Sequence, residues 1–288
     1  MEHSIVLSRA WVRPLLAARR AGQHTAGASL DLGISTVEVA LTSDGVTFPG
    51  GESVSWRDLD MIDGDDAACF AVSNVRDDQG SAVKKIHVFS SAFNRPYSLM
   101  PTSGAPTMIN AGFTMHRIVG IDPYEDTRRK IRAIAPLRGA VLDTPTGLGY
   151  TAIEAARTAD RVVTIELDPA VLDVARYNPW SRGLFDNPRI EQIVGDSYEV
   201  VPTLPPEGFA RIIHDPPSFS LAGELYSGVY YGQLYRVLRR GGRLFHYIGN
   251  LESKHGHKVA TGAIRRLREA GFARVARAPE AFGLVAYK

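Results

Sequence analysis

From Leu137 onward the chain repeats one pattern: a short apolar run that ends in polar or turn residues, followed by a stretch of helical composition. The runs are AVLDTPTG, RVVTIELD, RIEQIVGD, ARIIHDPP and GGRLFHYIG. Between them lie YTAIEAARTA, PAVLDVARYN, ELYSGVYYGQLYRVLRR and KVATGAIRRLREAG. Strands that alternate with helices of this length read as βαβ units, whose crossover connections make neighbouring strands parallel. The final GFARVARAPEAFGLVAYK reads as two closing strands. A doubly wound α/β domain is therefore expected over residues 137–288.

Residues 1–115 have a different rhythm and read as a small β-rich domain. SLDLGISTVEVALTSDGVTF alternates apolar and polar residues around a Ser-Asp-Gly turn, as a hairpin does. FAVS and KKIHVFSSAF add short strands, separated by DDQGS and by loops bearing Pro and Gly. Within the connection at 116–136, DPYEDTRRKIRAI reads as a helix, with Asp at the cap, Pro next and acids ahead of bases.

Composition narrows the class. Of 288 residues, 44% are hydrophobic and 22% charged, with a net charge of +2, which is an ordinary globular balance. The single cysteine, Cys69, excludes an internal disulfide and a multi-cysteine metal site, and suits a reducing compartment. No apolar run approaches the roughly 18 residues that span a bilayer, and Arg9 and Arg13 interrupt the apolar start as no signal peptide would. The expectation is a soluble cytoplasmic protein with no metal and no membrane segment.

In an open α/β sheet, ligands bind beyond the C-terminal ends of the strands. The first such end, VLDTPTGLGYTA, places Asp143 before a turn of Pro145, Thr146, Gly147 and Gly149 that opens a helix at Tyr150. Glycines there let a ligand approach backbone N–H groups, although the spacing is not the dinucleotide G-x-G-x-x-G. The second end carries Glu166 and Leu167; a carboxylate there can accept bonds from two ribose hydroxyls. The third carries Asp196 and Ser197, where the acid can accept from an adenine amino group. Each acid has a plainer alternative, since Glu166 and Asp196 both precede helices and can serve as caps. The fourth end is the stiff corner RIIHDPPSFS, with His214, Asp215, Pro216, Pro217, Ser218 and Phe219.

Three acids at successive strand ends behind a glycine turn suit a nucleoside with an amino-acid tail. On these residues the chain resembles the class I S-adenosylmethionine-dependent methyltransferases, a Rossmann-like family. The resemblance puts Asp143, Gly147, Gly149, Glu166 and Asp196 at its cofactor positions, in company with Pro145, Thr146, Tyr150, Leu167, Ser197 and His214. Pro145 departs from the pattern, standing where the family usually has its first glycine. The implied cofactor is S-adenosyl-L-methionine.

The Asp-Pro-Pro corner resembles the amino-methylating branch, which implies that Asp215 and the Pro216 carbonyl accept the N–H bonds of an exocyclic amine. Pro217 stiffens the corner and an aromatic stacks on the base. Here Ser218 takes the usual aromatic slot and Phe219 follows one place later, a pattern also similar to ribosomal-RNA methyltransferases that act on ring atoms. C5-cytosine chemistry needs a nucleophilic cysteine, and Cys69 lies in the other domain. Tyr226, His246 and Tyr247 flank the expected acceptor pocket, with core packing as their alternative. The stretch HDPPSFSLAGELYSGVYYGQLYRVLRRGGRLFHYIG, with DTPTGLGYTA, NPWS at Asn178–Ser181 and SLDLGISTVEV, resembles a family of archaeal predicted methyltransferases across nearly the whole chain.

Two other readings stay open. The layout also resembles aminopropyltransferases of the spermidine-synthase type, which act on a small amine and whose glycine turn typically carries an added acid for a bare aminopropyl ammonium. TPTGLGYTAI has none between Asp143 and Glu154. The other reading is a non-catalytic RNA-binding protein. Arg9, Arg13, Arg19 and Arg20, or Arg265, Arg266, Arg268, Arg274 and Arg277, supply cations for phosphates. For a methyltransferase, the expected acceptor is a nitrogen of tRNA or rRNA, selected by the β-rich domain. The alternative role for that domain is a lid over the pocket.

Overall fold

The computed structural model describes residues 5–73, 78 and 80–288. Asp77 and Gln79 of the DDQGS separator lie outside the described residues. The chain divides into two compact units, one of residues 124–169 with 183–288, the other of residues 1–123 with 170–182.

The first of these is built on a seven-stranded sheet. Its strands are β1 (Ala140–Thr144), β2 (Arg161–Glu166), β3 (Ile190–Val194), β4 (Phe209–His214), β5 (Leu238–Tyr247), β6 (Arg274–Ala278) and β7 (Gly283–Tyr287). They lie in the order β3-β2-β1-β4-β5-β7-β6. β1 to β5 are mutually parallel, as expected from the crossover pattern. The closing pair makes the sheet mixed: β7 inserts antiparallel between β5 and β6. A chain that reaches β6 at the edge can return through a tight connection only in the opposite direction. All six residues of β4 are buried, which is why RIIH reads as a continuous apolar run rather than an alternating one.

The helices along this part of the chain are α1 (Pro123–Ile134), α2 (Tyr150–Ala155), α3 (Pro169–Tyr177, which from Ala170 belongs to the other unit), α4 (Gly228–Val237) and α5 (Lys254–Glu269), with single turns between some of them. The helical stretch expected after β4 is broken. Gly223–Tyr226 forms a 3-10 turn, then the Ser227 hydroxyl accepts the Tyr230 N–H and caps α4 afresh. The core joins Leu142, Val163, Ile165, Ile212 and Leu244 of the sheet to Tyr230, Tyr231 and Leu234 of α4 and Ala260, Ala263 and Leu267 of α5. Strand order reverses at β1, between β2 and β4, and a crevice opens beyond the strand ends at such a point.

The other unit holds three small antiparallel sheets, of three, four and four strands. The expected hairpin is present: Val37–Leu41 pairs with Gly45–Thr47. Two helices, Arg9–Arg20 and Trp56–Asp63, were not part of the β-rich expectation. Val12, Leu15 and Leu16 give the first its buried stripe, and Ser55 caps the second by accepting the Asp58 N–H. Residues 170–182 pack in this unit; the indole N–H of Trp180 in NPWS donates to the carbonyl of Leu32 in SLDLGIS at 3.1 Å. Arg9 and Arg13 pair with Asp63, Arg9 also with Asp66, and Arg19 lies over the Trp56 ring. Cys69 is buried and its thiol is pushed well up by burial, so it is no nucleophile. Among the described residues no helix is long and apolar enough to cross a membrane.

Candidate active site

Four strand ends and one helix converge at the order reversal. Asp143, at the end of β1, is buried and accepts the Thr164 hydroxyl on Oδ2 at 2.8 Å. The Thr146 and Thr164 hydroxyls are 2.7 Å apart. Oδ1 of Asp143 is buried with no hydrogen-bond partner. Burial disfavours the charge more than the Thr151 and Thr164 hydroxyls favour it, and the carboxyl is pushed up to about 7.

The glycine turn is held from below, the Thr146 N–H donating to the Ile165 carbonyl. Gly147 has φ +55°, and a Cβ there would meet nothing within 4 Å, so the backbone is open on that side. Gly149 has φ +78°, and a Cβ there would lie 2.7 Å from the Leu184 side chain. Only glycine serves both positions. Pro145 is half-buried, and Tyr150 is buried with its ring edge-on to Tyr124.

Glu166, at the end of β2, folds onto this turn. Its Oε2 accepts the Gly147 N–H at 2.9 Å and its Oε1 the Asp168 N–H at 3.2 Å. Burial pushes its carboxyl up to about 7 against the pull of those N–H donors. Leu167 beside it is exposed. Asp196 is exposed, with Oδ1 accepting the Tyr198 N–H, so it does cap the following turn; Ser197 is buried.

At the end of β4 the Asp215 N–H donates to the Thr144 carbonyl at 2.7 Å, keeping β1 and β4 joined into the corner. Both ring nitrogens of His214 are engaged within the fold: Nδ1 meets the Thr144 hydroxyl and Nε2 donates to the Leu225 carbonyl. His214 is buried and its pKa pushed down to about 4, so it is neutral. His246 is also buried and neutral, between the Tyr231 hydroxyl and the His214 carbonyl. These two histidines pack and brace the corner. Tyr226 does likewise, its buried hydroxyl donating to the Pro217 carbonyl at 3.0 Å. Phe219 is 44% exposed, edge-on to the Tyr226 ring, and Ser218 is exposed beside it.

The residue that sequence reasoning missed is Lys130 of α1. Its buried ammonium lies 2.6 Å from Asp215 Oδ2, 3.0 Å from Asp126 Oδ2 and 4.6 Å from the Tyr247 ring centre. Burial opposes its charge, but the two carboxylates outweigh it and hold Lys130 above the ordinary lysine range. For Asp215, burial pushes the carboxyl up and Lys130 pulls it only part of the way back, so it stays above the ordinary carboxylate value. Asp215 keeps 23% side-chain exposure, and among the described residues its Oδ1 takes no hydrogen bond. A signal was there to read: Thr127, Lys130 and Ile134 share the buried face of α1, so a lysine stands at an apolar position with an aspartate four residues ahead.

No family model matches the chain. The uncharacterized protein MJ1233 of Methanocaldococcus jannaschii is 48% identical over 210 residues, covering 72% of each chain. The chain belongs to the MJ1233 family. A polyamine aminopropyltransferase of Aeropyrum pernix is 30% identical to this family member over 113 residues, 38% of the chain and 36% of that protein. A spermidine synthase solved with the transition-state analogue AdoDATO aligns with a TM-score of 0.56 at 18% identity, over 75% of this chain and 78% of that one. The MJ1233-family chain thus has the Rossmann-like fold shared by methyltransferases and spermidine synthases.

Proposed function

We propose that this chain is an S-adenosylmethionine-dependent methyltransferase whose acceptor is an exocyclic amine nitrogen of RNA. The Lys130–Asp215 pair carries this reading. An aminopropyl transfer to a polyamine requires the site to take up a bare aminopropyl ammonium and a cationic acceptor. Here the glycine turn has no added acid, and Oδ2 of the corner carboxylate is already engaged by the chain's own ammonium at 2.6 Å, a cation that a charged amine would have to approach. A neutral acceptor suits such a site better than a cationic one.

The cofactor fits the residues present. The partnerless Oδ1 of Asp143 suits the ammonium of a methionine tail, and the open side of Gly147 leaves room for its carboxylate beside the turn. Glu166 and Asp196 would hold the ribose and base. When bound, S-adenosylmethionine supplies a methyl group on a sulfonium sulfur, which departs as a neutral thioether.

The chain's own contribution is positioning. Asp215 Oδ1 and the Pro216 carbonyl accept the two N–H bonds of the amine, leaving its lone pair free to form the new N–C bond. Pro217, pinned by Tyr226, keeps that pair of acceptors fixed, and Phe219 offers an exposed face for the base. Charge grows on the nitrogen as the bond forms, and the Asp215 carboxylate lies beside it. An amine conjugated to a base ring then loses its extra proton to water unaided, so Asp215 need only accept the hydrogen bond.

The aminopropyl reading remains the second one because of the named relatives and the shared fold. Incubation with methyl-tritiated S-adenosylmethionine and total RNA, followed by nucleoside analysis, separates the two. The proposal expects label in an N-methylated nucleoside. Spermidine formed from putrescine and the decarboxylated cofactor, with no labelled nucleoside, would replace it.

A further inference from the structure

We propose that the exposed cationic face formed by α5 and the edge strand β6 is the surface on which the acceptor RNA docks. This rests on the methyltransferase reading for the identity of the RNA as substrate, but the surface itself is argued from its own residues.

Along α5, Lys254, Lys258, Thr261, Arg265 and Arg268 recur at steps of four and three residues and are all exposed. They form one stripe of about 21 Å at 1.5 Å per residue, opposite the buried stripe of Gly256, Ala260, Ala263 and Leu267. On β6, Arg277 is exposed beside the helix and its guanidinium lies 3.3 Å from His257 Nδ1. A hollow of about 410 Å³ lies here, lined by Thr261, Ile264, Arg265, Arg268, Glu269 and Arg277. Three guanidinium groups around one hollow offer forked donors suited to phosphate oxygens.

Charge is concentrated here. Lys254, Lys258, Arg265, Arg268 and Arg277 stand against Glu269 on this face, a net of +4, whereas the whole chain is only +2. Glu269 lies 3.9 Å from Arg265 with both side chains well exposed, a pairing too weak to neutralise the face. The N-terminal arginines differ, since Arg9 and Arg13 are tied to Asp63 and Arg19 to Trp56. Among the described residues no large hydrophobic side chain is exposed between 254 and 280, which disfavours a membrane as the partner.

Position connects the face to the site. α5 follows β5, so Lys254 starts the stripe at the strand-end edge that carries Asp215. Arg266 turns inward and donates to the Tyr226 carbonyl at 2.7 Å, while the Tyr226 hydroxyl holds Pro217. The docking helix and the acceptor corner therefore share a bracing residue.

The test is fluorescence anisotropy with an end-labelled 30-nucleotide RNA stem-loop, over a salt series through 0.15 M. Five phosphate contacts give a slope of log affinity against log salt of about −3.5 to −4.5. Replacing Lys254, Lys258, Arg265, Arg268 and Arg277 with Ala should weaken binding at least about tenfold at 0.15 M salt and flatten the slope towards zero. Replacing Arg9, Arg13, Arg19 and Arg20 should leave both unchanged. Calorimetric titration with S-adenosylmethionine should be unaffected in either variant. Wild-type affinity in the α5–β6 variant, a loss confined to the N-terminal variant, or binding to phosphatidylserine vesicles in preference to RNA overturns the proposal. RNA binding that follows the prediction in a protein that ignores S-adenosylmethionine would keep this surface and sink the methyltransferase reading instead.

Discussion

Lys130 Nζ lies 2.6 Å from Asp215 Oδ2, joining the middle of α1 to the corner after β4 across 85 residues of sequence. Asp126 holds the same ammonium from one turn earlier on the helix. The corner carboxylate therefore meets its acceptor with one oxygen already held by an ammonium, and that ammonium comes from the helix that leads into the sheet. Removing either charge has consequences that can be measured.

Lys130→Met keeps the volume and removes the cation, leaving Asp126 and Asp215 without their ammonium. Breaking a buried pair in this way costs about 3–5 kcal/mol, and urea denaturation should show it. Asp126→Asn in the same chain should recover part of the loss. The variant should also take up putrescine in calorimetry where wild type does not, because Oδ2 of Asp215 is released. A stability change below about 1 kcal/mol, with no gain of diamine binding, would mean that the pair is a bystander.

Asp215→Asn should leave S-adenosylmethionine affinity within about twofold. With an RNA acceptor in hand, it should slow single turnover at least about tenfold, or 1.4 kcal/mol of barrier. Phe219→Ala should act mainly on acceptor affinity. An unaltered rate for Asp215→Asn removes that residue from the acceptor site.

The cofactor half is tested by contrast between neighbours. Glu166→Ala should weaken S-adenosylmethionine binding by about 1.5–3 kcal/mol, the scale of a hydrogen bond to a charged group. Gly147→Ala meets open space, so its folding cost stays near the roughly 1–2 kcal/mol of left-handed backbone, while the methyl group obstructs the ligand. Gly149→Ala adds a collision with Leu184 and should cost about 2–4 kcal/mol of stability. Thermal melts with and without ligand distinguish the two glycines.

The pH dependence follows from Asp143 and Glu166, both pushed up to about 7 by burial from ordinary values of 3.8 and 4.5. The folded chain holds protons that the unfolded chain releases between about pH 4 and 7. Stability without ligand therefore falls as pH rises through that window and levels off above it. A ligand ammonium at Asp143 favours the ionised form, so binding should release protons below pH 7 and tighten as pH rises from 6 to 8. Calorimetry at pH 6.5 in two buffers of different ionisation enthalpy reads the proton count directly. Proton uptake would contradict the assignment.

The α/β half was legible because each strand announced its end. AVLD, VTIE and RIIHD are apolar runs stopped by an acid, and burial on both faces makes such runs continuous. Asp196 is visible as a cap in IVGDSYEVV, and the structure shows that cap. The helices of the N-terminal unit were harder to see, since Pro14 interrupts the helical pattern of Arg9–Arg20. Lys130 escaped for a different reason. An Asp–Lys pair at i,i+4 looks the same on paper whether it faces water or the sheet, and its partner Asp215 is fixed only by the tertiary fold. The same limit applies to His214 and His246, whose burial and hydrogen bonds follow from β4 and β5 lying side by side.

Affinity for S-adenosylmethionine and for its decarboxylated form, measured on the wild-type chain by calorimetry under the same conditions, decides between methyl and aminopropyl transfer. A glycine turn free of added acid should bind the intact carboxylate tail, and the decarboxylated cofactor should bind at least about tenfold more weakly, a difference of 1.4 kcal/mol. Tight binding of the decarboxylated form by a protein that ignores S-adenosylmethionine would contradict methyl transfer and make the chain an aminopropyltransferase.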